Sequence, residues 1–160
     1  MQSYDVTAES TAPPAAIWTL LLDPRSWPEW SRIDALETGR SSDLSPEGRD
    51  GVGATRAFRT GKVVTRERIT GLEPERRFSY EGVGNPQMAD YRATVELAEL
   101  PDGGTRIRWH GTYVARRGMR RFFQWYLSRF MRTMATGLAE LAADLEIRPA
   151  PGGSGKPEGR

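Results

Sequence analysis

Between Met119 and Glu146 the chain sets apolar side chains at spacings of three and four: Phe123, Leu127, Phe130, Met131, Met134, Leu138, Leu141 and Leu145. That spacing places them on one stripe of a helix about seven turns long. Arg121, Gln124, Ser128, Arg132 and Thr136 fall on its other side, and the stretch contains no proline. The helix should end near Ile147, because Pro149 cannot continue it. Residues 148–160 are proline, glycine, serine and charge, and read as a disordered tail. A long helix with one greasy stripe folds only where something else offers a matching apolar surface.

The rest of the chain supplies it. Residues 3–11 alternate Tyr4, Val6 and Ala8 with polar neighbours, the period-two signature of a strand. Pro13-Pro14 stops that strand and starts a short helix over residues 15–22. Residues 25–31, with Trp27 and Trp30 around Pro28, are too broken for a long helix, and residues 38–53, rich in glycine and serine, read as a long loop over the mouth of the fold. From Ala54 the pattern is an antiparallel meander: strands at 54–60, 63–72, 77–83, 91–100 and 105–115, with Pro101-Asp102-Gly103-Gly104 as the clearest hairpin turn. The order strand, short helix, meander, long helix predicts one α+β domain over residues 1–147. In it a curved antiparallel sheet wraps around the C-terminal helix and can leave a cavity between the two.

Several kinds of function drop out at this level. With no cysteine there are no disulfides, thiolate metal sites or cysteine nucleophiles, and the cytoplasm is the expected location. The N-terminus lacks the basic and apolar regions of a signal peptide. No cluster of metal-ligating residues stands out, and Gly48, Gly51 and Gly53 do not open a helix after a strand, so neither a metal nor a phosphate-bearing cofactor is expected. His110, the one histidine, shares a strand face with Arg106 and Arg108, which argues against a buried catalytic triad. Net charge is +2, yet residues 103–139 carry eight arginines and no acid. No nucleic-acid-binding motif accompanies them, so nucleic acid is not an expected partner.

The run Pro13 to Trp18, followed by Trp27-Pro28-Glu29-Trp30, resembles the opening of the START-like (SRPBCC) superfamily, in its polyketide cyclase/dehydrase and lipid transport branch. Gly51-Val52-Gly53, Glu67 to Thr70, Arg77 to Tyr80, Gly103 to Trp109 and the closing Gly137-Leu138 are similar to its later landmarks, in the same order. The resemblance spans about residues 3–146 and implies a helix-grip fold with a hydrophobic cavity. It does not imply one activity, since the superfamily holds aromatase/cyclases, lipid carriers and hormone receptors alike.

Strand alternation then assigns the inner face. Ile107, Trp109, Gly111 and Tyr113 share a side in the last strand; Tyr91, Ala93, Val95 and Leu97 match them in the one before, and Phe78, Tyr80 and Gly82 in the one before that. In residues 63–70 the set Val63, Thr65, Glu67 and Ile69 competes with Val64, Arg66, Arg68 and Thr70; the first is more apolar and carries Glu67 inward. The candidate ligand-binding residues are therefore Trp30, Phe58, Glu67, Tyr80, Tyr91, Trp109, Tyr113, Phe123, Leu127, Met131 and Met134. They suit a hydrophobic small molecule, polyketide-, lipid- or quinone-like. The alternative is a polyketide cyclase/aromatase or dehydratase using Glu67 and the tyrosines as general acid and base. Plain core packing is the competing reading of the same aromatic groups. Trp125 falls opposite the apolar stripe among Arg121, Arg129 and Arg132, a surface suited to a peripheral membrane or subunit contact, or to stacking by the arginines themselves. A monomer and a homodimer both fit.

Overall fold

Each period-two stretch folds as a strand, and the long apolar stripe folds as one helix. The computed structural model describes residues 1–147; the segment read as a disordered tail lies outside the described residues. The order is β1 (Gln2–Ser10), α1 (Pro14–Leu22), α2 (Trp27–Trp30), β2 (Ala35–Leu36), β3 (Thr55–Thr60), β4 (Val63–Glu73), β5 (Arg77–Gly82), β6 (Met88–Glu99), β7 (Thr105–Ala115) and α3 (Arg120–Ile147). The seven strands form one antiparallel sheet in the order β1-β7-β6-β5-β4-β3-β2. This is the expected α+β helix grip: a curved sheet with α3 across its concave side.

Two proline pairings shape the first crossing. Pro14 sits in the first turn of α1, where a missing N–H leaves no intrahelical bond unmade. The carboxylate of Asp23 then accepts from the backbone N–H of Arg25 at 3.0 Å, turning the chain into a short 3₁₀ segment at Pro24–Ser26 and on into α2. That turn brings Trp27 and Trp30 under the sheet, 1% and 5% exposed. The sequence reading saw only a broken stretch here, because prolines hide a four-residue helix from any periodicity test. It also missed β2, which is two residues long, and a 3₁₀ turn at Thr38–Arg40 inside the loop.

α3 lies along β1, in the same direction. Gln124 donates through Nε2 to the carbonyl of Ser3 at 2.9 Å, and the Ser10 hydroxyl donates to the carbonyl of Ala139 at 2.7 Å. Between those pins helix and strand each span about 23 Å. The buried residues of α3 are Leu127, Met131, Met134, Ala135, Leu138, Ala139 and Ala142. Leu145, expected on the same stripe, is 43% exposed. It stands beyond Ala139, past the end of β1, where there is no sheet left to cover it. At Gly137 the helix touches α2 so closely that an added Cβ would lie 1.8 Å from the carbonyl oxygen of Trp30.

Two bulges set which side chains face inward. Register slips between Ile69 and Gly71 against β5, so Ile69 and Leu72 both reach the inner side although their spacing is odd. A second slip, between Ala89 and Arg92 against β7, includes Asp90 at φ +50° and turns the chain just before Tyr91.

Candidate functional site

Cross-strand register divides the concave face into rows. One is apolar: Phe78 faces Val95, Val95 faces Trp109 and Trp109 faces Val6. The next is mixed: Ile69, Tyr80, Ala93, Gly111 and Tyr4. The last is polar. Arg56 faces Glu67, Glu67 faces Gly82, Tyr91 packs over Gly82, and Tyr113 faces Gln2 at the edge. Two inner glycines make room for tyrosines rather than bending strands. An added Cβ on Gly111 would meet Tyr4 Oη at 2.7 Å, and one on Gly82 would meet Tyr91 Cβ at 3.0 Å.

The tyrosines of these rows form one cluster. Ring centroids lie 6.0 Å apart for Tyr80 and Tyr91, 6.2 Å for Tyr4 and Tyr91, and 6.5 Å for Tyr91 and Tyr113. The Tyr4 and Tyr91 hydroxyls are hydrogen-bonded to each other, and Trp109 Nε1 donates to Tyr80 Oη at 3.0 Å. Beside them the middle of the grip is filled with rings. Trp27 sits 4.9 Å from Trp30, 5.0 Å from Phe58 and 5.9 Å from Trp109, centroid to centroid.

Arg56 is fully buried and closes the polar row at the β3 end. Its Nε donates to Asp50 Oδ2 at 3.0 Å and its Nη2 to the carbonyl of Leu22 at 2.7 Å. The guanidinium lies 5.4 Å from the Trp27 ring centre and 5.2 Å from that of Phe78. Asp50 also accepts from the backbone N–H of Ser45 at 2.7 Å, and its own N–H donates to the carbonyl of Leu22 at 3.2 Å. The loop expected over the mouth is thus tied down at its far end, with Asp50 plugged into the fold beside α1.

Among the described residues three buried side-chain atoms have no hydrogen-bond partner: Arg56 Nη1, Glu67 Oε1 and the Tyr113 hydroxyl. All three belong to the polar row. Burial pushes the Glu67 carboxyl up to about 7, against the opposing pull of Arg56. Burial likewise holds Tyr4, Tyr80, Tyr91 and Tyr113 above the usual phenol range, so all four stay neutral at physiological pH. The same desolvation lowers Arg56 from the ordinary guanidinium value.

Of the eleven residues singled out from sequence, Trp30, Phe58, Tyr80, Trp109, Tyr113, Leu127, Met131 and Met134 are buried in one core cluster; Tyr91 and Phe123 pack against it, partly buried. Glu67 is half-buried and enters the polar row. Sequence reasoning missed Arg56, Asp50, Tyr4 and Trp27. Arg56 was within reach, since it lies two residues from Phe58 on the same strand face. Metal-ligating side chains form no group of three among the described residues. His110 sits on the outer face, 3.3 Å from Glu96.

The opposite side of α3 is unlike the rest of the surface. Trp125, Phe122 and Tyr126 are 62%, 49% and 39% exposed. Phe122 stacks on Tyr126 at 5.5 Å, and Arg129 lies 5.8 Å above the Trp125 ring. A groove of about 500 Å³ beside them is lined by Gln2, Arg120, Arg121, Gln124, Trp125 and Ser128. No helix among the described residues is long and apolar enough to cross a membrane.

The family described as polyketide cyclase / dehydrase and lipid transport matches residues 1–146. No curated protein matches the chain. Solved structures share the architecture at low identity. XoxI from Bacillus cereus superposes with a TM-score of 0.73 at 18% identity, covering 92% of this chain and 100% of its own. A START superfamily protein from Mycobacterium smegmatis gives 0.73 at 12% identity, over 91% and 99%. The Aha1 dimer from Colwellia psychrerythraea gives 0.63 at 15% identity, over 87% and 97%.

Proposed function

Because this chain belongs to the polyketide cyclase/dehydrase and lipid transport family, we propose that it holds a hydrophobic small molecule, polyketide-, lipid- or quinone-like, between the sheet and α3. The observation that supports this reading is the confinement of the unpartnered buried polar atoms to one row of an otherwise apolar grip. Leaving a buried donor or acceptor unmet costs about 1–3 kcal/mol, and folded proteins rarely keep such groups without a reason. A ligand that reaches the row offsets that cost. The test is native mass spectrometry of the full chain, followed by organic extraction. An apolar compound released in stoichiometric amount supports the reading. An empty protein that also fails to take up a fluorescent apolar probe refutes it.

One observation favours a catalytic variant of the same site. A carboxyl held near 7 is matched to giving and taking a proton at neutral pH. Glu67, with the phenols of Tyr80, Tyr91 and Tyr113, then has the groups a cyclase/aromatase or dehydratase uses to polarise a carbonyl. Glu67→Gln should abolish turnover of a polyketide substrate while weakening its binding only several-fold; equal turnover in both proteins takes the proton transfer away from Glu67, and no turnover in the parent leaves only the carrier. Without cysteine the chain suits the cytoplasm. We assign the Trp125 face to contact with an anionic membrane surface during loading; a homodimer through that face is the alternative outcome of the test given below.

A further inference from the structure

We propose that the Arg56–Glu67–Tyr113 row binds the uncharged oxygen end of the ligand, a hydroxyl or a carbonyl, and disfavours a carboxylate. This rests on the ligand-binding reading above. The three groups supply complementary hydrogen-bonding capacity. Arg56 Nη1 can only donate, a phenol such as Tyr113 can donate or accept, and a carboxyl such as Glu67 accepts, or donates when protonated. An alcohol, phenol or ketone can satisfy one or more of them without bringing in charge.

The charge balance of the site excludes the acid. Among the described residues Arg56 is the single cation in the row, and Asp50 already matches it through a 3.0 Å ion pair that is fully buried on both sides. The other titratable groups in the row or packed beside it are Glu67 and neutral phenols: Tyr4 from β1, Tyr80 from β5, Tyr91 from β6 and Tyr113 from β7. A second carboxylate would add an uncompensated negative charge to a buried row that already has one at Asp50 and carries Glu67 beside it. A neutral head adds none. The raised Glu67 carboxyl is consistent with this, since a protonated acid can donate to a ligand oxygen.

The row also fixes orientation. The face grows more apolar away from it, through the Tyr80–Tyr4 row to the Phe78–Trp109 row, so the oxygen end points toward the row and the hydrocarbon body toward the rings.

Calorimetric titration of the full chain at pH 6 with 2-naphthol, naphthalene and 2-naphthoate tests the proposal. These probes share a ring system and differ only in the head. The expected order is 2-naphthol first, about tenfold tighter than naphthalene for one hydrogen bond gained in a buried site, with 2-naphthoate weakest. Tyr113→Phe removes a hydroxyl that has no partner in the protein, so its melting temperature should match the parent's, while the advantage of 2-naphthol over naphthalene shrinks several-fold; Glu67→Gln should shrink it as well. Equal binding of 2-naphthol and naphthalene, or an advantage untouched by both substitutions, overturns the proposal and leaves the ligand-binding reading standing. So does 2-naphthoate binding tightest, which would make the row a carboxylate site. If none of the three probes binds, the ligand-binding reading itself falls, and this inference with it.

Discussion

Replacing Glu67 with glutamine should change the pH dependence of stability more than stability itself. In the folded chain the carboxyl titrates near 7, against 4.5 for a free glutamate side chain. A group whose folded value is raised binds its proton more tightly in the native state. It therefore makes the protein most stable below the unfolded value, and that contribution is lost as pH rises through the folded one. The difference of about 2.5 pH units corresponds to on the order of 3 kcal/mol lost between roughly pH 4.5 and 7, with little further change above. Glutamine does not titrate, so Glu67→Gln should lack this slope. Measured by urea denaturation, the two proteins should differ little near pH 4.5, and the variant should gain on the parent steadily up to pH 7.5. All other ionisable groups are shared, so the difference curve isolates Glu67. Parallel curves across that window would refute the reasoning: they would mean that the carboxyl is solvated and ionises normally.

Three further outcomes follow from contacts described above. Asp50→Ala should destabilise by about 3–5 kcal/mol, because it strands the buried Arg56 guanidinium; a thermal melt within a few degrees of the parent would show that water reaches the arginine. Gly137→Ala raises helix propensity, yet should still lose on the order of 1–3 kcal/mol, because its Cβ runs into the backbone of Trp30 and neither helix can yield cheaply; denaturant titration checks the sign. At the Trp125 face, the full chain should sediment with vesicles containing one-third phosphatidylglycerol and not with pure phosphatidylcholine, and Trp125→Ala with Arg121→Ala should weaken that binding by at least about fivefold. Indifference to lipid charge, or a dimer by size exclusion that the double variant breaks, would assign the face to a second copy instead.

How much of this was legible in the sequence varies with the range over which the signal acts. Strand alternation is local, so β4 through β7 and α3 could be placed to within a few residues, and Tyr80, Trp109 and Tyr113 could be turned inward with no structure at hand. Glu67 was legible for the same reason, although Val63 on the same side is 61% exposed, because that end of the hairpin overhangs the core. Arg56 was not. An arginine reads as surface unless its partner is known, and Asp50 sits in a loop with no periodicity to say where it points. Tyr4 escaped because its bond to Tyr91 depends on two consecutive strand registers and a bulge. Trp27 escaped because its role is to fill space between elements far apart in sequence.

The uneven anchoring of α3 has a kinetic consequence. From Arg120 to Phe130 only Leu127 is buried, whereas six of the next twelve residues are. Local opening follows the contacts that must be broken, so the two halves of the helix should fluctuate with different free energies. Amide protons before Phe130 should exchange by fraying that leaves the sheet intact, while those of Met134 to Ala142 should wait for global unfolding. The half that opens first is the one that lies beside Ser3, next to Gln2 and Tyr113. A guest could thus enter or leave the polar end through a short excursion of three helical turns, hinged just before the buried Met131, and exchange rates along this single helix would trace the gate.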